Sequence, residues 1–241
     1  MMSDNSSKVL DQCSQIFFEH RLVKEFVMLQ KQAINHVYIV PSYQSPLKWF
    51  GVIFVHEGVY REAILRFTLL IPECSSTMPE LFFHPIPFHP LVDPITGKLN
   101  LTIAFPDWTA NVNHLWQIIL YTKNIFHDFE REIELINHNK RSGSFLNDCI
   151  ALFQNEPQIF ASKVRQSVIQ LAAQVYDLPQ DSNDPNAIIF SELDPRTLEE
   201  CRREMLTFCP SFESPENGQN RSPSSGLSWV QDGALFSKTI S

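Results

Sequence analysis

Histidines, aspartates and cysteines carry most of the chemistry open to this 241-residue chain. His84, His89 and His114 bracket a proline-rich stretch that also holds Asp93 and Asp107. A zinc site needs three or four ligands at tetrahedral geometry. His84 and His89 are separated by a proline-rich turn and not by a helical repeat, so their spacing favours structural histidines over metal ligands. A Ser-His-Asp hydrolase needs its serine on a strained, glycine-rich elbow, and none accompanies these residues. No Walker phosphate loop and no dinucleotide fingerprint occurs. Neither a cofactor nor a metal is expected.

The five cysteines, Cys13, Cys74, Cys149, Cys201 and Cys209, form no C-x-x-C pair. Such an odd, scattered set signals neither a disulfide framework nor a zinc ribbon and predicts a reducing compartment. None lies between residues 75 and 148, so the whole proline-rich stretch has no thiol. Buried or inert thiols are the expectation for all five. Net charge is −8, with no Lys/Arg cluster, which argues against nucleic acid as a partner. No apolar run approaches the roughly 18 to 20 residues of a membrane span, so direct membrane insertion is not expected.

These residues need elements to position them. Val9, Cys13, Ile16, Val23, Val27 and Ile34 recur at helical spacing, which predicts a helix over 9–34. Short β-branched and aromatic runs follow at 37–40, 47–55, 63–71 and 80–84, closed by turn residues such as Pro41, Gly58 and Pro72. Short connections between consecutive strands imply an antiparallel meander, because parallel pairing needs long crossovers. Residues 85–111 are irregular, as suits a functional segment. Leu115, Ile118, Ile119, Thr122, Ile125, Phe126 and Phe129 then give one apolar helical face, with Asn111 or Asn113 as its cap. Further helices are predicted at 145–153, along the stripe Phe160 to Val175, and from Pro195 with Asp194 capping. The class is α+β.

This order resembles the ubiquitin-conjugating-enzyme fold, and local residues carry the resemblance. Phe88-His89-Pro90 sits where that family has its His-Pro-Asn motif. Trp49-Phe50, Pro72 and Trp108 also occupy family-like positions. A narrower resemblance is to the fused-toes (AKT-interacting-protein) subfamily, nearest its insect crossbronx-like branch. It is carried by residues 41–60 (PSYQSPLKWFGVIFVHEGVY), 88–105 (FHPLVDPITGKLNLTIAF), Asn113-His114-Leu115-Trp116-Gln117, and the tail motif Gly226-Leu227-Ser228-Trp229-Val230.

The resemblance implies a degenerate catalytic site. The conjugating reaction carries ubiquitin as a thioester, so it needs a cysteine thiolate. Anchoring on Gly97 puts Asn100 at the cysteine position. The 90–97 segment is one residue longer than usual, which leaves Leu99 as the alternative occupant. Neither side chain forms a thioester. The asparagine of the motif, thought to stabilise the oxyanion, is replaced by Leu91, and losing such a donor costs roughly 10²–10³ in rate. His89 is expected to hydrogen-bond backbone in its turn, as the motif histidine of that family does.

The function implied is therefore that of a catalytically inactive variant serving as a protein-interaction adaptor. Its expected setting is a complex with Hook coiled-coil proteins and a fused-toes-and-Hook-interacting partner in endosomal vesicle trafficking, with Akt kinase as a further partner. The location implied is cytoplasmic, reaching vesicles through partners. A ubiquitin-binding cofactor of an active conjugating enzyme, or residual conjugation, is the alternative. The organisation expected is a flexible 1–8, a core over 9–178 and an extension over 179–241. That extension comprises a short helix, a polar linker over 211–226 and a tail in which Leu227 and Trp229 are the candidate partner-binding residues, since aromatic anchors dominate protein contacts.

Overall fold

The computed structural model describes residues 3–74, 76–110, 112–138 and 144–208. The chain divides into two units, Met1–Glu192 and Leu193–Ser241. The first opens with helix α1 (Ser3–Gln32), followed by strands β1 (Val37–Pro41), β2 (Lys48–Phe54), β3 (Ile64–Leu70) and β4 (Glu80–Phe83). After an irregular segment come helices α2 (Leu115–His127), α3 (Phe129–His138), α4 (Ser144–Asn155) and α5 (Pro157–Ala173). The described part of the second unit contains α6 (Pro195–Phe208), which starts at the expected proline. An N-terminal helix, a four-stranded antiparallel meander in the order β1-β2-β3-β4 and C-terminal helices make this an α+β fold of the ubiquitin-conjugating-enzyme type.

Helix α1 begins six residues before the periodic stripe and ends two residues short of Ile34. Its end is set by backbone: Ala33 adopts φ 44° and its N–H closes back on Gln30 O at 3.2 Å. Past the sheet, the stripe that runs to Phe129 is broken at Asp128, which leaves helical angles (φ −109°, ψ 43°), so Phe129 opens α3.

The strand register explains the core. Ile39, Gly51, Phe67 and Phe83 stand side by side across the four strands. Together with Trp49, Ile53, Leu65, Leu69 and Leu81 they form the inner face, buried against α2 and α5. Gly51 belongs there because a Cβ at that position would lie 2.1 Å from the Phe67 ring. Trp49 meets Phe26 of α1 edge-on at 5.4 Å and donates its indole N–H to Pro46 O at 3.0 Å. Each such fully buried large side chain contributes on the order of 1.5–3 kcal/mol.

The outer face is apolar too. Phe50 and Val52 are buried there, beneath a strap formed by residues 174–190. Asp184 fixes the strap: its carboxylate accepts from the Ser42 hydroxyl and from the backbone N–H groups of Tyr43, Gln44 and Asn186. Asn186 donates to Pro41 O at 2.9 Å, and Lys48 pairs with Asp181 at 2.9 Å. These contacts tie residues 181–186 to β1, β2 and the turn between them, within the first unit.

Candidate functional site

The Phe88–Leu91 turn is pinned from three elements. Tyr60, fully buried between β2 and β3, donates its hydroxyl to Phe88 O at 3.0 Å. Ser167 of α5 accepts from Phe88 N–H at 2.8 Å. His89, 1% exposed, has Nδ1 accepting from Leu91 N–H at 3.1 Å, so Nε2 carries the proton and donates to Ile125 O of α2 at 3.2 Å. Its ring packs among Tyr60, Phe126 and Phe129. Burial pushes the His89 pKa down to about 3, outweighing the opposing hydrogen bond to Ile125. The imidazole is neutral, both its nitrogens are committed, and neither is left to move a proton on a substrate. It bonds backbone in its turn, as the sequence predicts.

The next turn is equally constrained. Asp93 Oδ1 accepts from Ile95 and Thr96 N–H, and these bonds hold its pKa below the ordinary carboxylate value. Gly97 closes the turn at φ 72°, where a Cβ would approach Phe83 O to 2.6 Å. From Gly97 the chain runs antiparallel to its own start: Val92 bridges Leu99, and Asn100 N–H donates to Leu91 O at 2.8 Å. Pro90 and Leu91 are both buried, Leu91 at 3% in the core cluster.

This register separates Leu99 from Asn100, the two residues expected from the resemblance at the cysteine position. Leu99 is 1% exposed and faces the core, whereas Asn100 is exposed. Only Asn100 presents a side chain to solvent. Its Oδ1 accepts from Thr102 N–H and from the Thr102 hydroxyl. An amide used this way is no nucleophile, because its nitrogen lone pair is delocalised. Leu91, drawn into the core, offers Asn100 no donor: its N–H goes to His89 Nδ1, and its carbonyl accepts from Asn100 N–H.

The other candidate groups do not join this site. Cys74 is exposed in the β3–β4 loop, where hydrogen bonds from Ser76 and Thr77 lower its thiol pKa. Cys149 is buried in α4, and burial raises its pKa to about 11. Cys201 is exposed on α6. His114 faces Glu25 of α1, with Nδ1 2.9 Å from Oε1, and His84 lies beside the outer face of the sheet. Among the described residues no group of three His, Cys, Asp or Glu side chains could hold a metal, and no helix is long and apolar enough to cross a membrane. Trp108 and Trp116 pack against the core. Leu227 and Trp229 lie outside the described residues, as does the expected linker over 211–226.

Several positioning residues carry no sequence signal of their own. The N-cap of α2 is His114, not Asn111 or Asn113. Asn113 Oδ1 is occupied by Thr109 N–H, and Glu25, ninety residues upstream, accepts the Leu115 N–H at 2.9 Å. Ser167 acts over 79 residues and Tyr60 over 28. Only the apolar surroundings of Tyr60 and its hydroxyl, which needs an acceptor when buried, could have marked it.

No family model matches the chain. Curated relatives do. The chain is 38% identical over 228 residues to the AKT-interacting protein of Homo sapiens, covering 92% of this chain and 73% of that protein. It is 37% identical over 227 residues to AKT-interacting protein homolog A of Xenopus laevis, with 92% and 72% covered, and 36% identical over 226 residues to the AKT-interacting protein of Danio rerio, with the same coverage.

Proposed function

The chain belongs to the AKT-interacting-protein family, and from that premise we propose that it is a non-catalytic member of the ubiquitin-conjugating-enzyme fold that serves as a protein-interaction adaptor. The observation that carries the reading is the solvent-facing side chain after Gly97. A thioester needs a nucleophile there, and this chain has Asn100. Leu91 in the core points the same way. A fold kept rigid around an amide offers other proteins a surface to grip.

The relatives' name makes Akt kinase a candidate partner for this chain. Resemblance to the fused-toes subfamily adds Hook coiled-coil proteins and a fused-toes-and-Hook-interacting protein, with a cytoplasmic adaptor bringing them to endosomal vesicles. Affinity purification of the full chain from cells, followed by mass spectrometry, tests this. Co-purification of Hook-type coiled-coil proteins supports the reading, and their absence from a capture that recovers other specific partners contradicts it.

A further inference from the structure

The outer face of the sheet holds a charge that the turns around His89 and Asn100 do not use. Arg66 stands in the middle of β3, opposite Val52, and is only 8% exposed. Its Nη1 donates to Asp177 O at 2.8 Å and its Nη2 to Gln174 O at 3.1 Å, both in the strap. These acceptors are neutral carbonyls, and among the described residues no carboxylate pairs with the guanidinium within 4 Å. Burial pulls its pKa below the ordinary arginine value, and the charge of Asp177 opposes that only in part. A buried cation without a counter-charge is costly unless something supplies one.

Next to Arg66 the strap does not close on the sheet. A cavity of about 290 Å³ opens between them. Phe50, Leu70 and Phe82 line it from the sheet, and Ile188 from the strap. Its polar wall is Arg66 and His84 with Thr68 and Gln180, and the one carboxylate in the lining, Asp181, is paired with Lys48 of the same wall. The volume is near the lower end for small-molecule pockets, and an apolar lining with one or two placed polar groups is their usual make-up.

We propose that this cavity binds a small molecule with a single anionic head and an aromatic or short aliphatic body, the head paired with Arg66 and the body against Phe50, Leu70 and Phe82. The site shares no residue with the His89–Asn100 segment and stands whether or not the chain is an adaptor.

Titration of the ¹⁵N-labelled full chain with 3-phenylpropionate tests it, with 3-phenylpropan-1-ol as the uncharged counterpart. Saturable amide shifts are expected at Phe50, Arg66, Phe82 and Ile188, with the alcohol at least about tenfold weaker, since a charge-assisted bond is lost. Arg66→Met, if folded, should bind acid and alcohol alike. The comparison of acid with alcohol on the unaltered chain decides the matter even if that variant does not fold. Equal affinity for the two probes, the absence of saturable shifts, or shifts confined to other surfaces would overturn the proposal.

Discussion

His89 refuses a proton that the unfolded chain accepts. Its pKa falls from 6.5 to about 3 on folding, so the folded state binds fewer protons between those values. Stability therefore drops as pH falls below 6.5, by up to about 1.4 kcal/mol per pH unit from this side chain, and the loss levels off near pH 3. Burial lowers the His84 and His127 pKa values as well, which acts in the same direction. Urea unfolding at pH 7.5 and pH 5 should show the loss. His89→Gln should flatten the dependence while costing about 1–3 kcal/mol at pH 7.5, through lost packing and a lost backbone bond. A variant with the original pH slope would move the cause elsewhere. Asn100 behaves in the opposite way. Its side chain is exposed and bonds Thr102, while its N–H bond to Leu91 O is backbone and survives substitution, so Asn100→Ala should change stability by no more than about 1 kcal/mol and leave partner binding intact. Loss of binding in a folded Asn100→Ala protein would show that the degenerate turn itself is the interface.

Among the elements, α2 depends on a residue from another helix. Glu25 takes the Leu115 N–H and faces His114 where the helix dipole is positive, so Glu25→Ala should destabilise by about 1–2 kcal/mol, measured by thermal or urea unfolding. An unchanged midpoint would mean that the asparagines upstream can take over the cap. Gly97→Ala forces a side chain into φ 72° and against Phe83 O, and should cost more than about 1 kcal/mol. The four strands and most helices were legible because their apolar runs have period two or 3.6 and end at proline or glycine. The α2 cap was not, since local chemistry favours Asn113 and only the packing of α1 on α2 brings Glu25 there. The break at Asp128 was equally hidden, because the apolar stripe continues through it to Phe129. The strap left one trace: β2 is apolar at nearly every position, and a strand buried on both faces needs cover on both.

At the scale of the whole molecule, the fold and the family were readable from a few segments, 41–60, 88–105 and 113–117, whose residues include the core and the turns described above. The proposed nature of the site rests on residue type alone, an amide at Asn100 and an alkyl side chain at Leu91, which the sequence displays directly. What could not be read was which of Leu99 and Asn100 faces solvent, since that depends on the register with Leu91 and Val92. Trp229 remains the candidate anchor of the tail, and Trp229→Ala should weaken capture of protein partners or lower thermal stability. Unchanged values for both would remove it from the account. The central claim is that this chain grips proteins and does not transfer ubiquitin. Incubation of the full chain with activating enzyme, ATP and ubiquitin tests it most directly: the account predicts no adduct sensitive to reducing agent, and a ubiquitin adduct released by thiol would contradict it.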